Sequence, residues 1–200
     1  MQRRSQEDRS RTTRAALEQA GRDLFAERGF AGTSAEQLVA AAGVTRGALH
    51  HHYGDKRGLF LAVLEQIETE ATAEIARAID AVDPGDVVAG MTAGLACFLD
   101  ICGRPEMVRI VLMDAPTVLG WPDFREFESR HGLGLITAEL QRAVDSGIVP
   151  AVPVPVLAQL LLSAITEASL IVAHAEDPDR ARAETQQSLL LLITGLLRPS

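Results

Sequence analysis

Gly43 constrains the fold of this chain more than any other residue, because it joins two helical runs too closely spaced for anything but a tight turn. The stretch from Thr33 to Lys56 reads TSAEQLVAAAGVTRGALHHHYGDK. Glycine supplies the left-handed backbone that a short helix-helix turn needs. Leu38, Val39, Ala42, Val44 and Leu49 fall where the two runs must pack on each other and on a preceding helix. The alanines before Gly43 allow a close crossing. Thr33-Ser34-Ala35-Glu36 reads as a capping box, the Thr33 hydroxyl satisfying the amide of Glu36 and Glu36 reaching back. The outer face of the second run is left with Thr45, Arg46, Ala48, His50 and His51, a donor-rich strip of the width a major groove accepts.

The rest of the chain also reads as helices separated by turn residues. A first helix is expected from about Arg11 to Arg28, with Leu17, Ala20, Leu24 and Phe25 on one face and Gly29 as its stop. After the two short helices, Asp55 caps a fourth from Lys56 to about Ala81, and Asp83-Pro84 opens a fifth to about Ile101. A sixth reaches Met113, and Asp114 to Trp121 is expected as a loop. A seventh runs from Pro122 to Ser146-Gly147, an eighth from Pro155 to near Ala175, and a ninth from Asp177-Pro178 to the stop at Pro199. No segment alternates with the period of a strand. The chain therefore reads as all-α, with about nine helices.

Composition narrows the classes further. With 47% hydrophobic and 23% charged residues, the chain can bury a core and is not disordered throughout. Net charge is −8, but residues 1–60 hold ten Arg/Lys against seven acids, a local +3 that leaves −11 on the remainder. One end suits phosphates and the other is repelled by them. Cys97 and Cys102 lie five apart, without CxxC spacing, and read as unpaired thiols of a cytoplasmic protein. The stretch from Ile148 to Ala175 is interrupted by Pro150, Pro153 and Pro155, which makes it a poor membrane span, and no membrane partner is expected. His50-His51-His52 cannot converge on one ion, since consecutive helical residues point about 100° apart. His52 is expected to face the interior, and no metal or other cofactor is expected.

The run from residue 33 to 64, with FAERGF at 25–30 before it, resembles the tetracycline-repressor-like (TetR/AcrR) regulators. The matching features come in order: Gly-Phe ending the first helix, Thr-Ser opening the second, an Ala-Gly-Val turn, a Gly-x-Leu recognition helix, an aromatic, and Asp-Lys leading into Leu-Phe. The resemblance implies a helix-turn-helix that binds double-stranded operator DNA, with Thr33, Thr45, Tyr53 and Lys56 on phosphates. It sets Arg46, Gly47, Ala48 and His50 toward base edges, and His51 is expected to meet DNA beside them. His50 stands where the family usually has tyrosine, Tyr53 where phenylalanine is common, and Val39 replaces the usual alanine. The implied organisation is a flexible arm over 1–10, a DNA-binding domain over 11–55, and a ligand-binding and dimerisation domain over 56–200. Arg3, Arg4, Arg9 and Arg11 on the arm could enter a minor groove, although a solvated tail is the blander reading.

The last two helices are apolar around much of their circumference, from Leu160 to Val172 and from Leu189 to Leu197. That pattern, like the resemblance, points to a homodimer formed through them. Phe98, Met107, Met113, Trp121, Phe124 and Phe127 gather aromatic and thioether groups between the fifth and seventh helices, suited to a pocket for a small, largely apolar effector. His131 is a candidate polar anchor there, as are Asp114 and Glu139; simple core packing would use the same residues. The sequence thus predicts a ligand-responsive repressor. The alternative is a helical ligand carrier or an enzyme that does not use DNA. The chain has no GxSxG, no HExxH and no phosphate-cradling glycine loop, and it keeps Arg46, Tyr53 and Lys56.

Overall fold

The structure, a computed structural model, describes residues 2–195, with side chains from Glu7 onward. The side chains of Arg3 and Arg4, and all of Leu196, Leu197 and Pro199, lie outside the described residues. Helix α1 spans Gln2–Arg28, α2 Ala35–Ala41, α3 Arg46–Tyr53, α4 Lys56–Asp80 and α5 Val87–Cys102. A π-helical segment, Met107–Asp114, runs into α6, Ala115–Leu119. Then follow α7 Trp121–Arg130, α8 Gly132–Asp145, α9 Val154–Ala173 and α10 Pro178–Thr194. Among the described residues there is no strand.

Several boundaries differ from expectation for identifiable reasons. Helix α1 begins at Gln2 rather than Arg11, so residues 2–10 are helical where a flexible arm is expected. No Gly or Pro interrupts residues 2–20, and Asp8 pairs with Arg11 one turn away at 2.7 Å. Asp83-Pro84 makes a turn, with the Gly85 amide donating to the Asp83 carboxylate at 2.9 Å, and Asp86 is the residue that caps α5. Asp177-Pro178 does open α10, with Asp177 accepting from the Arg180 amide. The expected loop from Asp114 is helical to Leu119, because Pro116 falls in the first turn of α6, where its missing N–H costs nothing. The expected seventh helix is two, broken at His131 before the weak helix formers Gly132 and Gly134.

The chain forms two compact units, one of Met1–Ile67 with Pro105–Gly120, the other of Glu68–Arg104 with residues 121 onward. The division expected at residue 55 therefore falls inside the first unit, and that unit recruits a segment from far along the chain. Its core holds Leu17, Phe25, Leu38, Leu49, Leu59 and Phe60, with Phe60 edge-on to both Phe25 and Phe30 at 5.2 and 5.1 Å. Helices α1 and α4 cross closely at Gly21, where an added Cβ would come within 3.1 Å of Val63. The recruited segment lies against α1 and is bonded there. Arg22 makes a two-pronged pair with Glu106 at 2.6 and 3.1 Å, and the Phe30 amide donates to Asp114 at 2.7 Å. Gly29, at φ 72, faces the guanidinium of Arg109, with no room for a Cβ.

The second unit packs α5, α8, α9 and α10 around Leu95, Leu99, Leu140, Ala158, Leu161, Ile165 and Leu189. Helix α9 has 20 residues and a mean hydropathy of 1.9, long and apolar enough by those measures to cross a membrane. Pro150 and Pro153 precede it and Pro155 lies in its first turn, so the prolines shorten the apolar stretch at its front and Pro155 opens the helix as expected. It packs against both α8 and α10 on one side and leaves Val156, Leu160 and Ile171 exposed on the other. Cys102 is buried, which pushes its thiol up to about 12.

Candidate nucleic-acid interface

Local capping sets the geometry of α2 and α3. The cap of α2 is Ser34, not Thr33: Ser34 accepts from the Gln37 amide at 3.2 Å and the Gln37 side chain accepts from the Ser34 amide at 2.8 Å. Thr33-x-x-Glu36 and Ser34-x-x-Gln37 both carry the signature, and the choice falls on the second because Thr33 turns inward. Thr33 is fully buried, its hydroxyl donating to Gly29 at 2.8 Å and lying 3.2 Å from the Leu24 carbonyl oxygen. The expectation that Thr33 bonds a phosphate is thereby corrected; its hydroxyl ties the α1–α2 loop together. Gly43 takes φ 64 in the turn, and Val44 donates back to Val39 at 3.0 Å.

Helix α3 is capped by Thr45, whose oxygen accepts from the Ala48 amide at 3.3 Å, leaving the hydroxyl proton to be donated outward. Leu49 is buried and fixes the helix, while Arg46, Gly47, His50 and His51 are exposed and Ala48 is half-buried. Arg46, Gly47, His50 and Lys56 line one groove with Ala35. His51 instead lines a second groove with Arg9, Arg11, Arg14 and Glu18. The Arg46 guanidinium rests 2.7 Å from Glu36. His50 Nδ1 lies 2.7 Å from the Gly54 carbonyl, which can only accept, so Nδ1 carries the proton. In the tautomer with that single ring proton Nε2 is an acceptor, which modifies the expected donor strip.

Two expected phosphate ligands are engaged within the unit. The Tyr53 hydroxyl donates to Glu18 at 2.7 Å, and burial, with that bond, pushes its pKa up to about 12. Lys56 Nζ donates to the carbonyls of Phe30 and Thr33, both at 2.8 Å, and lies 4.1 Å from the Phe30 ring centroid. Lys56 keeps its third proton for DNA, whereas the Tyr53 proton is held by Glu18 and its oxygen, an acceptor, cannot bind a phosphate, so Tyr53 is corrected to a strut between α3 and α1. Sequence reasoning missed Ser34 as the exposed hydroxyl at the head of α2, although the overlapping Ser-x-x-Gln pattern was there to find it.

The expected ligand residues do not gather. The second unit encloses a cavity of about 90 Å³, and of the seven candidates only Phe98 lines it. Met107 and Met113 belong to the first unit, Met107 buried and Met113 exposed. Trp121 is 64% exposed at the start of α7, with Arg125 over its ring. Phe124 and Phe127 are core residues, and Phe127 stacks near His131 with ring centroids 4.6 Å apart. Residues 105–120 belong to the other unit, so the seven do not line one pocket, although Trp121 and Phe124 lie with ring centroids 6.2 Å apart.

Comparison with known proteins agrees with this geometry. Residues 18–63 match the family model described as bacterial regulatory proteins, tetR family, and residues 88–196 match one described as a tetracyclin repressor-like C-terminal domain. The chain is 30% identical over 154 residues to the transcriptional repressor AcnR of Corynebacterium efficiens, covering 75% of this chain and 76% of the relative. It is 28% identical over 151 residues to AcnR of Corynebacterium glutamicum, with the same coverage of each. A crystal structure of a TetR-family transcriptional regulator from Pectobacterium atrosepticum superposes with a TM-score of 0.81 at 36% identity, over 96% of this chain and 98% of that one.

Proposed function

The chain belongs to the tetR family of bacterial regulatory proteins, and on that premise we propose how this DNA-binding transcriptional regulator works: as a homodimeric repressor released by a small, largely apolar effector. The observation that carries the reading is the exposed guanidinium of Arg46, sharing one groove on α3 with Gly47, His50 and Lys56. Arg46 leaves Glu36 and takes a guanine through two hydrogen bonds. His50 Nε2 accepts from the amino group of cytosine or adenine, and Ala48 meets a thymine methyl. Thr45 donates its hydroxyl to a phosphate, and Lys56 adds a backbone contact through its third proton, while Tyr53 stays on Glu18 and braces α3 against α1. His51, with the Arg9–Arg14 face of α1, attracts the flanking backbone.

One recognition helix binds too weakly for useful specificity, and a palindromic operator demands two copies. The exposed side chains of Val156, Leu160 and Ile171 on α9, and of Leu191 and Leu192 on α10, support a homodimer through these two helices. The pair holds its recognition helices about 34–36 Å apart, one turn of DNA. Helix α4 is continuous from Lys56 in the first unit to Asp80 in the second, which supports it as the lever between effector and operator. Affinity for DNA falls by as much as the effector prefers the released arrangement. Family membership points to a regulator rather than an enzyme, acting in the cytoplasm where its operator lies.

The test is a gel-shift titration of the full chain with the DNA upstream of its own gene. Arg46→Ala is expected to weaken binding about 10–100-fold, the loss of roughly 1–3 kcal/mol of base discrimination, with the helical circular dichroism unchanged. Unaltered binding by the variant would remove Arg46 from readout. Failure of the wild type to shift any upstream fragment would favour the ligand-carrier reading.

A further inference from the structure

Ile75 and Ile79 of α4, with parts of α5, α8, α9 and α10, enclose the cavity of about 90 Å³ in the second unit. Its lining is aliphatic side chains, glycines, Met91 and Phe98, with one exception, Glu139. Two glycines line it, and at Gly94 an added Cβ would come within 3.1 Å of Ile79, so that position is already close-packed. At Gly132 an added Cβ would make ordinary van der Waals contact with Leu162 at 3.8 Å, so a larger side chain there would press against the α9 wall of the cavity. Engineered apolar cavities of about 150 Å³ accept a benzene-sized guest, so this smaller but half-open space limits the guest to at most a single ring, part of it reaching out through the open side, or a short branched chain.

Glu139 sets the chemistry of the guest. Its side chain is 13% exposed and accepts a hydrogen bond from Arg142, which is more exposed at 43%. The pair sits beside Gly90, whose Cβ, if present, would lie 3.7 Å from the Glu139 carboxylate and 3.8 Å from the Arg142 guanidinium. A carboxylate offers about four acceptor positions, so Glu139 keeps capacity toward the cavity after Arg142 is served. An anionic guest would face the Glu139 charge. A cationic guest would add a second positive charge to a carboxylate that Arg142 already neutralises, in an apolar space. The −11 excess beyond residue 60 suits a cation in bulk, but the local pair cancels it. A second polar group placed beyond the reach of Glu139 would be left without a partner, because no other side chain of the lining can hydrogen-bond.

We propose that this cavity takes a compact, uncharged, hydrocarbon-bodied molecule with a single hydrogen-bond donor, a hydroxyl in the simplest case, received by Glu139. The proposal rests on the reading of the chain as effector-responsive and names the class of effector.

The experiment titrates the full chain with three ring compounds of matched size: cyclohexanol, cyclohexylammonium and cyclohexanecarboxylate, followed by ligand-observed NMR. Cyclohexanol is expected to bind at least about tenfold more tightly than either charged analogue. Glu139→Leu is expected to erase that preference and Glu139→Gln, which keeps an acceptor, to retain it. Gly132→Leu, which fills the cavity, is expected to abolish binding of all three. Equal or tighter binding of a charged analogue overturns the proposal, as does a preference untouched by Glu139→Leu. A gel shift run on the same preparations separates the two readings. DNA binding without cyclohexanol binding overturns the cavity assignment alone, whereas cyclohexanol binding without a DNA shift overturns the regulator reading and supports the cavity.

Discussion

Arg46, proposed to read bases, is held by Glu36 without being consumed. Both are exposed, at 76% and 64% of their side chains, so their pair is weak and screened. The Glu36 carboxyl lies below the usual range, held there first by a backbone hydrogen bond and then by the Arg46 charge. DNA has only to outcompete a solvated carboxylate. Glu36→Gln is therefore expected to raise operator affinity several-fold and to steepen its salt dependence, as measured by fluorescence anisotropy across ionic strength. A fall in affinity would mean that Glu36 aims Arg46 rather than competing for it. Thr33 gives the opposite case. Thr33→Val keeps shape but leaves the Gly29 carbonyl without its buried donor, an expected loss of about 1–3 kcal/mol in thermal unfolding. Its salt slope for DNA binding should match the wild type, which a phosphate ligand's would not.

At the level of elements, legibility followed locality. The helix-turn-helix was readable because its determinants lie within 24 residues: Gly43 for the turn, Leu38 and Leu49 for the packing, and Thr45 for the cap. The two Asp-Pro pairs show where local signals stop. Asp177 caps a helix and Asp83 makes a turn, and what separates them is that Asp86 follows three residues later as a competing cap. The π-helical segment left no periodic signature, and its partners Arg22 and Phe30 are 84 residues away. The same distance explains why the expected ligand cluster dissolved. Lys56 belongs to this scale because it fastens one element to the next, its ammonium closing the carbonyls that end the α1–α2 connection. Lys56→Met should lower stability by about 2 kcal/mol, read as a shifted urea midpoint with unchanged slope. A variant that melts like the wild type but binds DNA less well would return Lys56 to a purely phosphate-binding role.

For the whole molecule, the proposed association rests on the exposed leucines of the last two helices. Leu160 and Leu191 are 63% and 73% exposed in a single copy. Leu160→Glu combined with Leu191→Glu is expected to yield a folded monomer by sedimentation velocity and to lose most of its operator affinity. A double variant that still sediments as a dimer would move the interface elsewhere. The segment Pro105–Gly120 bears on how such a molecule can be taken apart. Severing the chain after Ile67 would not yield a transplantable reading head. The cut leaves behind Glu106 and Asp114, and with them the grips on Arg22 and on the amide of Phe30. Chimeras that exchange operator preference between such regulators have to carry two separate stretches of gene, the second sixteen codons long, or the borrowed head arrives with one wall missing.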